Sequence, residues 1–110
     1  MKYFCCESER RGTCYHEFQK GKWDDKTFWK NDSLLLHDDI LRKHKLHEIF
    51  LKVDLNYNDY GETEIDLEKW KEIRSLSNVI GGEVKDIIDE ANAWVDETLK
   101  AEGVFTILGI

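Results

Sequence analysis

The tightest constraint on the fold is the run EVKDIIDEANAWVDETLKAEG at residues 83–103. Val84, Ile87, Ile88, Ala91, Trp94, Val95 and Leu99 recur there at helical spacing, which predicts an amphipathic helix whose apolar stripe must be covered. Gly81 and Gly82 interrupt the pattern before it, while Lys100 and Gly103 supply C-terminal signals. The following VFTILGI is β-branched and apolar enough to be a central strand. A second stripe, Leu67, Trp70, Ile73 and Leu76, predicts a helix over 67–80, with Asp66 placed to accept backbone N–H bonds as its cap, typically worth about 1 kcal/mol. Because the chain has no proline, its turns rest on glycine, asparagine and aspartate.

Shorter elements complete the pattern. KYFCCES at 2–8 and TCYHEF at 13–18, joined through ERRG, read as an N-terminal β-hairpin with Gly12 near the turn. Trp23, Phe28 and Trp29 follow neither period, so 19–32 reads as a loop that has room for a short strand. Leu34, Leu35, Ile40 and Leu41, with Asp32 or Ser33 as cap, suggest a helix to Lys45; a strand at 33–36 is the alternative. HEIFLKVDL alternates, with Ile49, Leu51, Val53 and Leu55 on one side, and predicts a half-buried strand. The order of elements predicts one α+β domain over 1–110: a small, mostly antiparallel sheet with two to three helices packed on one face.

The net charge of −7 is unevenly spread. Residues 1–47 carry ten Lys+Arg against eight Asp+Glu, and residues 48–110 carry six against fifteen. Such a surface repels phosphate backbones and anionic lipid and attracts basic proteins, so neither direct nucleic-acid binding nor membrane binding is expected. Met1 leads directly into KYFCCESERRG without the apolar stretch of a secretory signal, and no window is apolar enough to span a bilayer. A cytoplasmic location is expected. Cys5, Cys6 and Cys14 are odd in number and clustered, which reads as reduced thiols rather than a disulfide framework.

Candidate chemistries fail in turn. Asp54, Asn56 and Asn58 match the start of a calcium loop, but Asp59 stands where glycine is needed and Ile65 where a bidentate glutamate is needed. Cys5, Cys14 and His16, with a fourth ligand from His37, His44 or His47, offer a zinc reading without the usual ligand spacings. Cys14 and His16 are the only near thiol–imidazole pair, and no oxyanion loop, phosphate-binding loop or dinucleotide fingerprint occurs. His44 and His47 read as surface residues able to register pH. No enzymatic activity and no cofactor is expected.

What stands out is VDLNYNDYGETEIDLE at 53–68, with six carboxylates, two tyrosines and no lysine or arginine. Turn propensity and the dipole of the following helix account for Asp59, Asp66 and Glu68 but leave Tyr57 and Tyr60 unexplained. Tyrosines among acids give rigid contact area plus negative charge, suited to a basic cleft. The expected partner surface therefore centres on Asp54, Tyr57, Asp59, Tyr60, Glu62 and Glu64. Trp23 and Trp29, set among charged residues, are either further anchors or rings folded beneath their own loop.

In size, acidity, α+β pattern and the terminal apolar strand VFTILGI, the whole chain resembles the small bacterial immunity proteins encoded beside polymorphic or contact-dependent growth-inhibition toxins. That resemblance implies a cytoplasmic binder that protects its own cell by occluding a toxin domain, without cofactor or turnover, and it assigns no individual residue; the acidic surface itself points to a basic toxin, with a nuclease the first expectation. Two other readings stand beside it: a small thiol or zinc protein using Cys5, Cys14 and His16, and an acidic mimic of DNA that inhibits a DNA-binding enzyme.

Overall fold

The computed structural model describes residues 1–110. In chain order the strands are β1 (Phe4–Cys5), β2 (Tyr15–Lys20), β3 (Leu34–His37), β4 (Glu62–Asp66) and β5 (Val104–Leu108). The helices are α1 (Asp38–Lys43), α2 (Leu46–Val53), α3 (Leu67–Ile80) and α4 (Gly82–Glu102), with a single 3-10 turn at Glu7–Glu9. All strand pairs are antiparallel, in the order β1-β3-β2-β5-β4. The expected α+β class holds, and the terminal strand β5 lies inside the sheet between β2 and β4.

Register assigns each side chain to a face, because directly opposed residues point the same way. Phe4, Leu36 and His16 form one row, and Leu34, Phe18, Ile107 and Thr63 the next. With Phe105 and Ile65 these face the helices, which contribute Leu41, Leu46, Ile49, Phe50, Trp70, Ile73 and the α4 stripe to one core. Phe105 is fully buried, stacked on Phe18 at 5.3 Å and met edge-on by Trp70 and Trp94, each at 5.8 Å. The opposite face carries Leu35, Glu17, Leu108 and Glu62 in one row and Gln19, Thr106 and Glu64 in another.

Three local expectations are corrected. Residues 2–8 and 13–18 do not form a hairpin: β3 lies between β1 and β2. Glu90 of α4 accepts the backbone N–H groups of Lys2, Tyr3 and Phe4, which ties the N-terminus to the helical layer. At 33–45 the chain is first strand and then helix, so the strand alternative applies; the cap of α1 is His37, whose Nδ1 accepts from Asp39 N, not Asp32 or Ser33. HEIFLKVDL is not a strand but most of α2. Leu46, Ile49, Phe50 and Val53 also satisfy helical spacing, and burying Phe50 while leaving Leu51 and Leu55 exposed joins a larger ring to the core.

Other readings stand. Asp66 caps α3 by accepting from Lys69 N at 3.0 Å, Gly81 separates α3 from α4, which begins at Gly82, and Gly103 ends α4 in the left-handed region. The α3 stripe is rotated, with Trp70, Ile73 and Ser77 buried and Leu67 exposed.

Candidate functional site

The acidic stretch divides in two. Asp54 is paired with Lys69 Nζ at 2.8 Å, and Asp59 Oδ2 accepts from Arg42 Nη1 at 2.8 Å. Tyr57 is 9% exposed, its ring 5.4 Å from Phe50, so it belongs to the chain's own core and is not an exposed anchor. Burial and the neighbouring Asp59 carboxylate push the Tyr57 phenol far above its ordinary pKa. Burial works against the Asp59 anion, but Tyr57 and Arg42 outweigh it and hold that carboxyl below the usual range.

Tyr60, Glu62 and Glu64 are placed differently. Tyr60 is 73% exposed, and on the edge strand β4 the carboxylates Glu62, Glu64 and Asp66 alternate outward while Thr63 and Ile65 point to the core. None of those three carboxylates takes part in an ion pair of the chain. The structure thus brings Tyr60, Glu62 and Glu64 together on an outward edge and withdraws Asp54, Tyr57 and Asp59 from it.

Beside this edge, on the sheet face away from the helices, lies a groove of about 760 Å³, within the usual size range of ligand sites. Tyr15, Trp23, Phe28, Trp29 and Tyr60 supply aromatic walls, and Leu108 and Ile110 complete them. Three of the chain's exposed large apolar side chains, Phe28, Tyr60 and Ile110, converge here. Trp23 and Trp29 are half-buried, so they are neither free anchors nor fully covered.

The wall from the 21–33 loop is held by a buried carboxylate. Glu17, 1% exposed, accepts from Trp29 N at 2.8 Å, Lys30 N at 2.9 Å and Ser33 Oγ at 2.6 Å. These bonds fix Trp29 at φ 60°, an uncommon conformation for a bulky residue that surrounding contacts must impose. At the loop tip, Asp24 accepts from Thr27 Oγ1 and from the N–H groups of Thr27 and Lys26, which lowers its carboxyl pKa to about 2. Trp23 then donates Nε1–H to Thr27 O and lies 5.2 Å from Phe28.

The opposite rim is set by the chain end. Gly109 N donates to Gly61 O and Ile110 N to Asp59 O, which extends the β4–β5 pairing past Glu62 and fixes the segment carrying Tyr60. A Cβ at Gly109 would run into the Asp59 carbonyl, so only glycine admits this approach.

The thiol and zinc arrangement does not assemble. Cys5 shares the face of Leu35, whereas His16 lies on the helix face, and Cys14 is exposed before β2 begins. No group of three or more His, Cys, Asp or Glu is arranged to hold a metal ion. His16 is fully buried and 2.7 Å from Asp38; a carboxylate only accepts, so Nε2 carries the proton and buried Nδ1 is left without a partner.

Burial keeps the His16 pKa below its ordinary value, with Arg42 adding to the lowering, against the pull of Asp38 and Asp59. The folded chain therefore resists a proton that the unfolded chain accepts near pH 6.5. The His16 contribution to stability is complete above that pH and is lost as pH falls below it. A lower urea midpoint at about pH 5.5 than at about pH 7.5 is expected, with a smaller difference in His16→Gln. A larger difference in the variant would contradict this assignment.

No family model, curated protein or solved structure matches the chain. No helix of the chain is long and apolar enough to cross a membrane. Sequence reasoning missed β4 and Glu17. The alternation of Thr63 and Ile65 with Glu62, Glu64 and Asp66 was the available signal for the strand, whereas a glutamate amid YHEFQK carries no local sign of burial.

Proposed function

We propose that the chain is a non-catalytic immunity protein that neutralises a basic toxin domain by covering its functional cleft. The observation that carries this reading is the outward edge of β4, where Glu62 and Glu64 have no cation of their own beside exposed Tyr60 and an aromatic groove. Unpaired carboxylates steer a cationic partner during approach, and rigid rings in a desolvated patch are what typical interface anchors are made of. Clefts that bind phosphate backbones are lined with lysine and arginine, which makes a nuclease the best-matched toxin. Asp54, Tyr57 and Asp59 then shape the surface without forming its contact layer.

The test is to express in cells the product of an adjacent reading frame, which this proposal requires to be toxic, with and without the chain, and to score survival. The wild-type chain should protect them, and a variant combining Tyr60→Ala, Glu62→Gln and Glu64→Gln should not. A control combining Asp96→Asn and Glu97→Gln removes acids from the exposed side of α4 and should protect fully. Loss of protection in the control but not in the edge variant would place the interface elsewhere.

A further inference from the structure

We propose that the aromatic groove is the receptor for an arginine side chain presented by the partner, held between ring faces and satisfied by carboxylates at the rim and floor. This inference rests on the reading of a cationic protein partner and names the contact that partner makes. Tyr15, Trp23, Phe28, Trp29 and Tyr60 turn aromatic surface toward one space, and no lysine or arginine is among the residues lining it. Ring faces attract cations, most strongly where water is excluded.

Anionic groups stand at two levels of this space. Glu62 is the register partner of Leu108, which lines the groove, so its carboxylate emerges on the groove face at the rim. Glu17 also lines the groove, and its two oxygens accept three bonds where a carboxylate offers roughly four acceptor sites. A neutral apolar occupant would strip water from exposed Glu62 without replacing it, whereas a guanidinium supplies both charge and donors. The chain contains its own example: the Arg10 guanidinium, tied to Glu7, lies 4.2 Å from the centre of the Trp29 ring.

The probe is a short arginine-containing peptide, compared with the same peptide carrying citrulline, which keeps the shape and loses the charge. The four tryptophans provide a built-in control: Trp23 and Trp29 line the groove, while Trp70 donates to Asn92 and Trp94 to Asp32 O elsewhere. In ¹H–¹⁵N spectra the arginine peptide should shift the indole signals of Trp23 and Trp29, leave those of Trp70 and Trp94 in place, and bind about tenfold more tightly than the citrulline peptide. Phe28→Ala, a change at a side chain 51% exposed, should weaken the arginine peptide severalfold without loss of fold.

Equal binding of the two peptides, no binding, or shifts confined to Trp70 and Trp94 would overturn the proposal. The underlying immunity reading fails separately. A peptide that binds as described, with no toxin neutralised, leaves the groove assignment standing. A toxin neutralised equally well by Phe28→Ala, together with equal binding of both peptides, removes the groove assignment alone.

Discussion

A chain that stops at Gly103 is expected to lose cooperative folding, because β5 is an interior strand. Its removal takes Phe105, Ile107 and Leu108, all nearly fully buried, and leaves β4 without its sheet partner and β2 paired with β3 alone. Burying side chains of this size contributes about 1.5–3 kcal/mol each. Three of them match much of the roughly 5–15 kcal/mol by which a typical domain is stable. Phe105 also fills the space between Phe18, Trp70 and Trp94, so its loss opens the centre of the aromatic core. Near-ultraviolet circular dichroism and urea unfolding measure this directly. A sigmoidal transition close to that of the full chain would show that β5 adds little to the core.

Glu17→Ala is the largest single change expected on the groove side. It leaves Trp29 N, Lys30 N and Ser33 Oγ, three donors turned toward the buried carboxylate, without an acceptor. Unmet buried donors and lost charge-assisted bonds together should cost about 3–5 kcal/mol. With its anchor gone, Trp29 has no reason to keep φ 60°, so the loop wall should loosen while the helix face is undisturbed. Hydrogen exchange is expected to rise across 21–33 and to stay slow in α4. Glu17→Gln, which keeps the shape and one acceptor, should fall between wild type and alanine. A Glu17→Ala midpoint equal to wild type would mean that the loop is held by its aromatic contacts alone.

Where a long apolar stripe or a cap acts locally, the sequence was legible. The α4 helix, the Asp66 cap and the buried terminal strand each follow from side-chain spacing and turn chemistry within a short window. The misreadings arose where two periods fit the same residues. Ile49, Leu51, Val53 and Leu55 alternate, yet Leu46, Ile49, Phe50 and Val53 form a helical face, and only the tertiary partners of Phe50 decide between them. The N-terminal strand was misread for another reason: its pairing with β3 and the bonds of its backbone to Glu90 both join it to residues far away in sequence.

The candidate site was legible in part for the same reason. The acidic tyrosine stretch marked the right region, but whether an acid is free depends on distant cations. Lys69 and Arg42 claim Asp54 and Asp59, whereas no cation claims Glu62 or Glu64. Tyr57 and Tyr60, three residues apart with the same side chain, have opposite fates because one packs on Phe50 and the other stands on a turn at the sheet edge.

The most direct measurement is the association rate of the purified chain with the basic toxin domain proposed as its partner, for wild type and for the Tyr60→Ala, Glu62→Gln, Glu64→Gln variant, as salt is raised from about 50 to about 500 mM. If the edge of β4 steers the encounter, the wild-type rate falls steeply with salt, while the variant starts slower and depends on salt far less. Identical rates and salt dependence for the two chains would contradict a partner surface at Tyr60, Glu62 and Glu64.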